Sequence, residues 1–257
     1  MKKLVSLLLA GVLMVSLVAC AGTDKEEDKK EKLIVGTEAG FAPYEYMKGD
    51  EVVGVDMDIA KAIADELGMD LEIKNMDFDG ALLAVQNGKV DFVAAGVSVD
   101  PERDEVMDFS HEYVSSTEVI VVNKATPAVS AAGDELAGTD LDGKIVAVQQ
   151  GNIADIWVTS KDNCNAKEIK RYTKFAQAAE DLKNNKVDCI VMDELPAKDL
   201  VAANEELMIL DGVLFEDKYA IAVDEGNTEM LEKINKVIDK LIADGKIDEF
   251  IANHASK

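Results

Sequence analysis

Positive charge is scarce in this chain, and arginine nearly absent. The 257 residues hold 27 lysines and arginines against 51 aspartates and glutamates, a formal net charge of −24 at pH 7. Only two of those basic residues are arginine, Arg103 and Arg171. This balance argues against nucleic acid or anionic lipid headgroups as partners, because a protein that docks on polyanions needs a basic face. Histidine occurs twice and cysteine three times, with no Cys-x-x-Cys and no His-Glu-x-x-His, so the familiar zinc spacings are missing. There is also no Gly-x-Ser-x-Gly, the nucleophile turn of many serine hydrolases. "GTDLDGKI", Gly138 to Ile145, nearly spells a phosphate-binding loop, but Ile145 stands where a hydroxyl should hold magnesium. No metal and no cofactor are expected. Prolines number four and no stretch is rich in Gly and Ser, so no flexible linker is expected inside the folded part.

The longest apolar run lies at the start. After Lys2 and Lys3 it extends from Leu4 to Ala19, short of the roughly 20 residues a spanning helix needs. Residues 1–19 therefore read as an export signal. It ends in Leu17-Val18-Ala19-Cys20, which resembles the lipobox of bacterial lipoproteins, where cleavage leaves the cysteine first and lipidated. Two acyl chains on Cys20 suffice for stable anchoring. "AGTDKEEDKKEK" has almost nothing to bury, so residues 20–32 are expected to be a solvated tether. The expected location is extracytoplasmic, lipid-anchored to the outer face of the cytoplasmic membrane. Cys164 follows the polar "SKDN" and Cys189 sits in the apolar "VDCIVM". A disulfide between them stays open in an oxidising compartment, with one loop thiol and one buried thiol the preferred reading.

An internal repeat sets the architecture. "EIKNMDFDGALLAVQNGKVDFVAAG" from Glu72 is echoed by "EIKRYTKFAQAAEDLKNNKVDCIVMD" from Glu168. Phe78 and Phe175, Asn87 and Asn184, and Asp91 and Asp188 all stand 97 positions apart. Upstream, "KLIVGTEAGF" is matched by "KIVAVQQGNI". Two α/β lobes of like topology with mainly parallel sheets follow. Asp56 and Asp79 are candidate helix N-caps, and Gly68 and Gly88 candidate helix ends. "STEVIVVNK" and "FEDKYAIAV" read as the two strands that cross between lobes. Residues 33–116 with 218–257 would form lobe 1 and residues 117–217 lobe 2. Two crossing strands and a cleft make a hinge.

Ligands of open parallel sheets gather beyond the carboxyl ends of the strands. Those positions are Thr37 to Pro43, Gly96 to Arg103, Gln149 to Ala154, and Asp193. Arginine is the side chain suited to gripping a carboxylate by two parallel bonds, and Asp193 suits an ammonium. An α-amino acid carries both. Arg103 sits among Asp100, Glu102, Asp104 and Glu105, on what reads as a solvated helix, so a plain surface pair is its competing role. Phe41 is a candidate clamp for the aliphatic part of a ligand. Phe78 fits that role too, although its equivalence to Phe175 favours core packing for both.

As a set, "GTEAGFAPYEY", "GVDMDIAKAIADELG", "DFDGALLAVQNGKVDFVAAGVSVDPERDEVMDFS", "GKIVAVQQGN" and "KVDCIVMDELPA" resemble family 3 of the bacterial extracellular solute-binding proteins. That family comprises amino-acid receptors of ABC importers. The resemblance implies an α/β fold of two Rossmann-like lobes on a two-strand hinge, the type II periplasmic-binding-protein flytrap, which closes on a ligand and docks on a permease. It implies that Arg103 holds the ligand's α-carboxylate with Ser98 beside it. Gly96 and Asp193 would take the ammonium, and Phe41 and Phe78 would flank the side chain. Asn152 and Ile153 form the lobe-2 turn, where Ile153 replaces a frequent threonine. Glu38 faces the side-chain end and favours polar or basic L-amino acids over acidic ones. A monomer is expected. The alternatives are a dehydratase-like enzyme of the same fold, with Glu38, Glu45 or His111 as general acid, and a subunit presenting ligand to a sensor.

Overall fold

A computed structural model describes residues 30–131 and 135–255. The expected export signal, Cys20 and most of the expected tether lie outside the described residues.

The chain begins with β1 (Lys32–Thr37) and a small meander of β2 (Gly40–Phe41), β3 (Glu45–Lys48) and β4 (Glu51–Val53). Next come α1 (Val55–Leu67), β5 (Asp70–Asn75), α2 (Phe78–Gln86), β6 (Phe92–Val93) and β7 (Met107–Phe109). The long β8 (Val114–Asn123) enters the second lobe, followed by β9 (Ile145–Gln149), α3 (Ile153–Thr159), β10 (Glu168–Tyr172) and α4 (Phe175–Lys183). That lobe is completed by β11 (Cys189–Asp193), α5 (Glu194–Ala202), β12 (Leu207–Ile209) and β13 (Phe215–Tyr219). The chain returns through β14 (Ala222–Asp224) and ends in α6 (Thr228–Ala243) and α7 (Lys246–His254).

Besides the three-stranded β2-β3-β4 sheet, the described residues form two larger sheets, ordered β5-β1-β6-β14-β7 and β10-β9-β11-β8-β12, with β13 also paired to β8. The strand triplets β5-β1-β6 and β10-β9-β11 are parallel and equivalent, while the strands added by the crossings are antiparallel. The sheets are thus mixed, each with a parallel half that runs in from one edge. The repeat has a physical basis in matched hydrogen bonds. Asp91 accepts from Ile34 N at 2.6 Å and Asp188 from Ile145 N at 2.7 Å, each fastening one loop to the first strand of its lobe. Asn87 and Asn184 each bond the carbonyl four residues back at 2.7 Å, closing α2 and α4.

Alternation along the strands gives each sheet two apolar faces. Leu33 and Val35 pack with α1, and Ile34 packs with α2 on the opposite side. In the second lobe Val146 and Val148 face α3 while Ala147 faces α4. Helix α6 buries Ile234, Val237, Ile238 and Leu241, the i, i+3, i+4, i+7 stripe of an amphipathic helix, and packs on α1. The C-terminal helices therefore belong to the first lobe.

Three local expectations change. Asp56 does not cap α1: Gly54 is the N-cap, and Asp56 lies fully buried inside the first turn. Gly54 is obligatory there, because at φ 139° a Cβ would come 2.1 Å from the Tyr44 carbonyl oxygen. Asp79 does not cap α2 either; Asp77 holds that position and Asp79 bonds Gly80 N within the first turn. Residues 101–106, expected as a helix carrying Arg103, form successive turns instead. Cys164 and Cys189 are both free and both buried, so Cys164 sits in a loop but is shielded within the second lobe's core.

Removing the γ and δ carbons of Ile238, which is fully buried against α1, should cost about 2–5 kcal/mol. Denaturant melts of Ile238→Ala measure this, and a loss below 1 kcal/mol would mean that α6 is not part of the first lobe's cooperative core.

Candidate ligand-binding cleft

The carboxyl ends of the parallel strands in the two lobes face each other, so residues distant in sequence meet between them. Arg103 is 6 % exposed. Its Nη1 donates to Ser98 O and its Nη2 to Gly151 O, both at 2.7 Å, so it bridges the lobes. Its guanidinium lies 5.6 Å over the Phe78 ring, a cation–π placement. Among the described residues no ion pair joins it to Glu102 or Asp104, which removes the surface-pair role. Two of its five N–H donors are used on carbonyls.

Ser98 donates its hydroxyl to Asp217 on β13. Gly96 has φ 54° and donates its N–H to Asp56 at 2.8 Å; a Cβ there would sit 2.9 Å from the Phe41 ring. Asp193 ends β11, 3 % exposed, and accepts from Ser116 Oγ at 3.0 Å and from the Tyr219 hydroxyl. Glu38 ends the run of β1, 1 % exposed, with Gln149 Nε2 at 3.0 Å and Lys174 Nζ at 3.4 Å, both from the other lobe. The Asn152 side chain accepts from Asp155 N at 2.9 Å and so caps α3, whose first residue is the half-buried Ile153. Phe41 stacks on Phe175 across the cleft with ring centroids 6.1 Å apart.

The residues named from the sequence thus converge on one interlobe region, and several unnamed ones join them. Phe175, set aside as core, faces Phe41. Gln149 and Lys174 cross to Glu38. Tyr44 and Tyr219 pack edge to face at 4.9 Å beneath Phe41. Glu45, Asp56, Glu118 and Asp217 are buried carboxyls that the sequence reading did not place in the site, although Glu45 was weighed as an acid. The strand-end rule already covered Gln149; the others became visible only through strand register. His111 is remote from this cluster, paired with Asp239 on α6 at 2.7 Å.

Charge is the dominant property of the cleft. Glu38, Glu45, Asp56, Glu118, Asp193 and Asp217 are each 9 % exposed or less, and among the described residues the only comparably buried basic side chain near them is Arg103. Burial in low dielectric penalises ionisation, and neighbouring carboxylates repel. Burial pushes Asp56 up to about 6 even though Gly96 N–H and the Tyr113 hydroxyl favour its anion. Burial likewise pushes Asp217 up to about 6. Glu45, with neither oxygen hydrogen-bonded, is raised well above the usual range by burial and by Asp56 and Glu38. Glu38 is raised by burial despite Gln149 and Lys174. Burial also lowers the Arg103 guanidinium, which Asp100 and Asp217 oppose. Such a cleft attracts a cation.

The model of the bacterial extracellular solute-binding proteins, family 3, matches residues 33–257. The chain belongs to this family. Its members fold as two-lobed flytraps, and the α/β lobes described above have that architecture. Among curated relatives, the arginine-binding extracellular protein ArtP of Bacillus subtilis is 30 % identical, covering 97 % of this chain and 96 % of its own. The substrate-binding protein AbpA of Streptococcus pneumoniae, solved with L-arginine, superposes with a TM-score of 0.78 at 35 % identity, covering 87 % of this chain and 94 % of its own. An ancestral arginine-binding protein solved with glutamine gives 0.77 at 37 % identity, covering 88 % and 98 %. These relatives are binding proteins rather than enzymes.

The family's cleft in this chain has a stability signature. Asp56 and Asp217 titrate near 6 when folded, above an unfolded value of about 3.9. Their contribution is fully present below the unfolded value and is lost as pH rises through about 6. The exposed ion-paired Glu66, Glu72, Asp181 and Glu229 are shifted down and act only at more acid pH. Without ligand, the melting temperature should therefore be higher at pH 5.5 than at pH 8. A flat or rising profile across that window would mean these carboxyls ionise without penalty.

Proposed function

We propose that this protein is the extracytoplasmic receptor of an ABC importer for a cationic L-amino acid, arginine being the leading candidate. The observation that carries this reading is the charge of the cleft, six buried carboxyls facing one buried guanidinium. An acidic ligand would add to the repulsion and a cationic one relieves it. Arg103 takes the α-carboxylate through its remaining donors, beside Ser98 and the Asn152–Ile153 turn. Asp193 and the Gly96 carbonyl take the α-ammonium. Glu38 meets the cationic end of the side chain, while Phe41, Phe78 and Phe175 enclose its aliphatic part. The arginine-bound relatives support the choice. The relative solved with glutamine makes a neutral polar ligand the alternative outcome.

The finer setting belongs to the same proposal. Cys20 carries the lipid that holds the receptor, a monomer, at the outer face of the membrane, and an ABC permease receives the ligand. The cleft binds and returns its ligand unchanged, requiring neither metal nor cofactor.

Calorimetry with L-arginine, L-lysine, L-histidine, L-glutamine and L-glutamate tests the reading, with mass spectrometry of the recovered ligand. A cation should bind tightest, glutamate should give no heat, and the ligand should come back intact. Tightest binding of glutamate, or a changed product, would overturn it. Asp193→Asn should weaken the preferred ligand by about 2–5 kcal/mol, because a buried ammonium loses its charged partner. Affinity within threefold of the parent would remove Asp193 from the site.

A further inference from the structure

The cleft's floor holds a carboxyl that the ligand contacts above do not use. Glu118 pairs directly with Asp193 where β8 meets β11, and with Phe215 where β8 meets β13. Ser116, two residues back, pairs with Asp217. Cross-strand partners and residues two apart share one face of a sheet, so register alone gathers Glu118, Asp193 and Asp217 on one side of the crossing strands. One carboxylate oxygen from each lies within 4.8 Å of the others, and all three residues are buried. Glu118 is fully buried, and neither of its oxygens accepts a hydrogen bond from any donor among the described residues.

We propose that Glu118 is a further ligand-binding residue, which with Asp193 and Asp217 forms a three-carboxyl pocket for the ligand's ammonium and gives up a shared proton when that ammonium enters. The inference rests on the receptor reading above and deepens it.

Two facing carboxyls hydrogen-bond only when one of them keeps a proton, and Glu118 has no other partner within reach. The surroundings enforce that proton. Asp193 on β11 and Asp217 on β13 repel the Glu118 anion, and burial penalises it most, so its carboxyl is raised well above the usual range. Burial raises Asp193 as well, although the Tyr219 and Ser116 hydroxyls favour its anion. From the first lobe, Arg103 faces Asp217, while Glu45, Asp56 and the Tyr44 phenol add only negative or neutral groups. Glu194, on α5 beside β8, bonds Thr117 and pairs with Lys198 outside the pocket. Among the described residues, Arg103 is the one cation that acts on any of the three carboxyls. An entering ammonium lets the pair ionise fully, and the proton leaves to solvent. A divalent cation fits less well, since calcium takes about 6–8 oxygen ligands and two hydroxyls already donate to Asp193 Oδ1.

Proton release follows from binding heats measured in buffers of different ionisation enthalpy. With L-arginine as probe near pH 7, about 0.5–1 proton should be released per ligand, and affinity should rise up to about tenfold per pH unit between pH 5.5 and 7.5. Glu118→Gln keeps shape and hydrogen bonding, so it should fold, release close to no proton and lose the pH slope. Tight binding of arginine by the parent with no proton released would overturn the proposal while leaving the receptor reading intact. A readout free of ligand covers the case in which arginine does not bind. The infrared band of protonated carboxyls in the parent at pH 7 should weaken in Glu118→Gln, and an unchanged band overturns the proposal. Calcium that stabilises the protein and competes with arginine would overturn it as well.

Discussion

Carboxyl groups buried with too few positive charges are the constraint on which this structure turns. Six of them line the space between the lobes, and the fold supplies only partial relief. Hydroxyls, the Gly96 N–H and the Gln149 amide satisfy some oxygens, while Glu45 and Glu118 receive no hydrogen bond from any donor among the described residues. A fold optimised for stability alone would replace such groups with apolar ones, since well-packed hydrophobic side chains often match or exceed buried ionic groups. Their retention is economical only if something cationic completes the arrangement. On the proposed reading binding and closure are one event, because the missing charge arrives with the ligand.

The repeated βαβ unit explains how the carboxyls come to face each other. Each lobe ends its parallel strands in loops aimed at the cleft, and the same Asp and Asn bonds tie each unit together. The two crossing strands add the rest. β8 belongs to the second sheet along its whole length, and its partners β11 and β13 bring Asp193 and Asp217 beside Glu118. Contacts from one lobe to the other, Arg103 with Gly151 and Glu38 with Gln149 and Lys174, use the groups assigned to ligand. On the proposed assignment, ligand would compete with protein for the same groups, which would couple occupancy to the lobes' relative position.

Much of this was legible in the chain. The fixed offset of Asn-x-Lys-Val-Asp announced two like lobes, and the strand-end rule covers Glu38, Gly96, Ser98, Arg103, Asn152 and Asp193, which the structure brings to one interlobe region. The scarcity of arginine singles out Arg103, and its burial between the lobes is what the structure adds. Other features were hidden for physical reasons. Asp56 looks like a helix cap in "GVDMDIAK", but the glycine before it takes the cap conformation and frees the carboxyl to hold Gly96. Phe78 reads as core because Phe175 holds the matching place, and both rings are indeed buried in apolar clusters; what the sequence hides is that Phe78 also lies under the Arg103 guanidinium and Phe175 against Phe41. Glu118 sits alone in a β-rich run, where a single acid reads as the solvent side of a strand, and Asp217 stands between Glu216 and Lys218, where a charged stretch reads as exposed. Only the pairing register places them inward, and register depends on contacts across about 75–100 residues of chain.

The central claim is that the cleft selects its ligand by positive charge, and one comparison of isosteres tests it most directly. L-citrulline matches L-arginine in length and shape but replaces the guanidinium with a neutral urea group. Calorimetry of both at the same pH should show arginine bound at least about 100-fold more tightly, or roughly 3 kcal/mol, because citrulline brings no charge to meet Glu38. Citrulline binding within threefold of arginine would contradict the account.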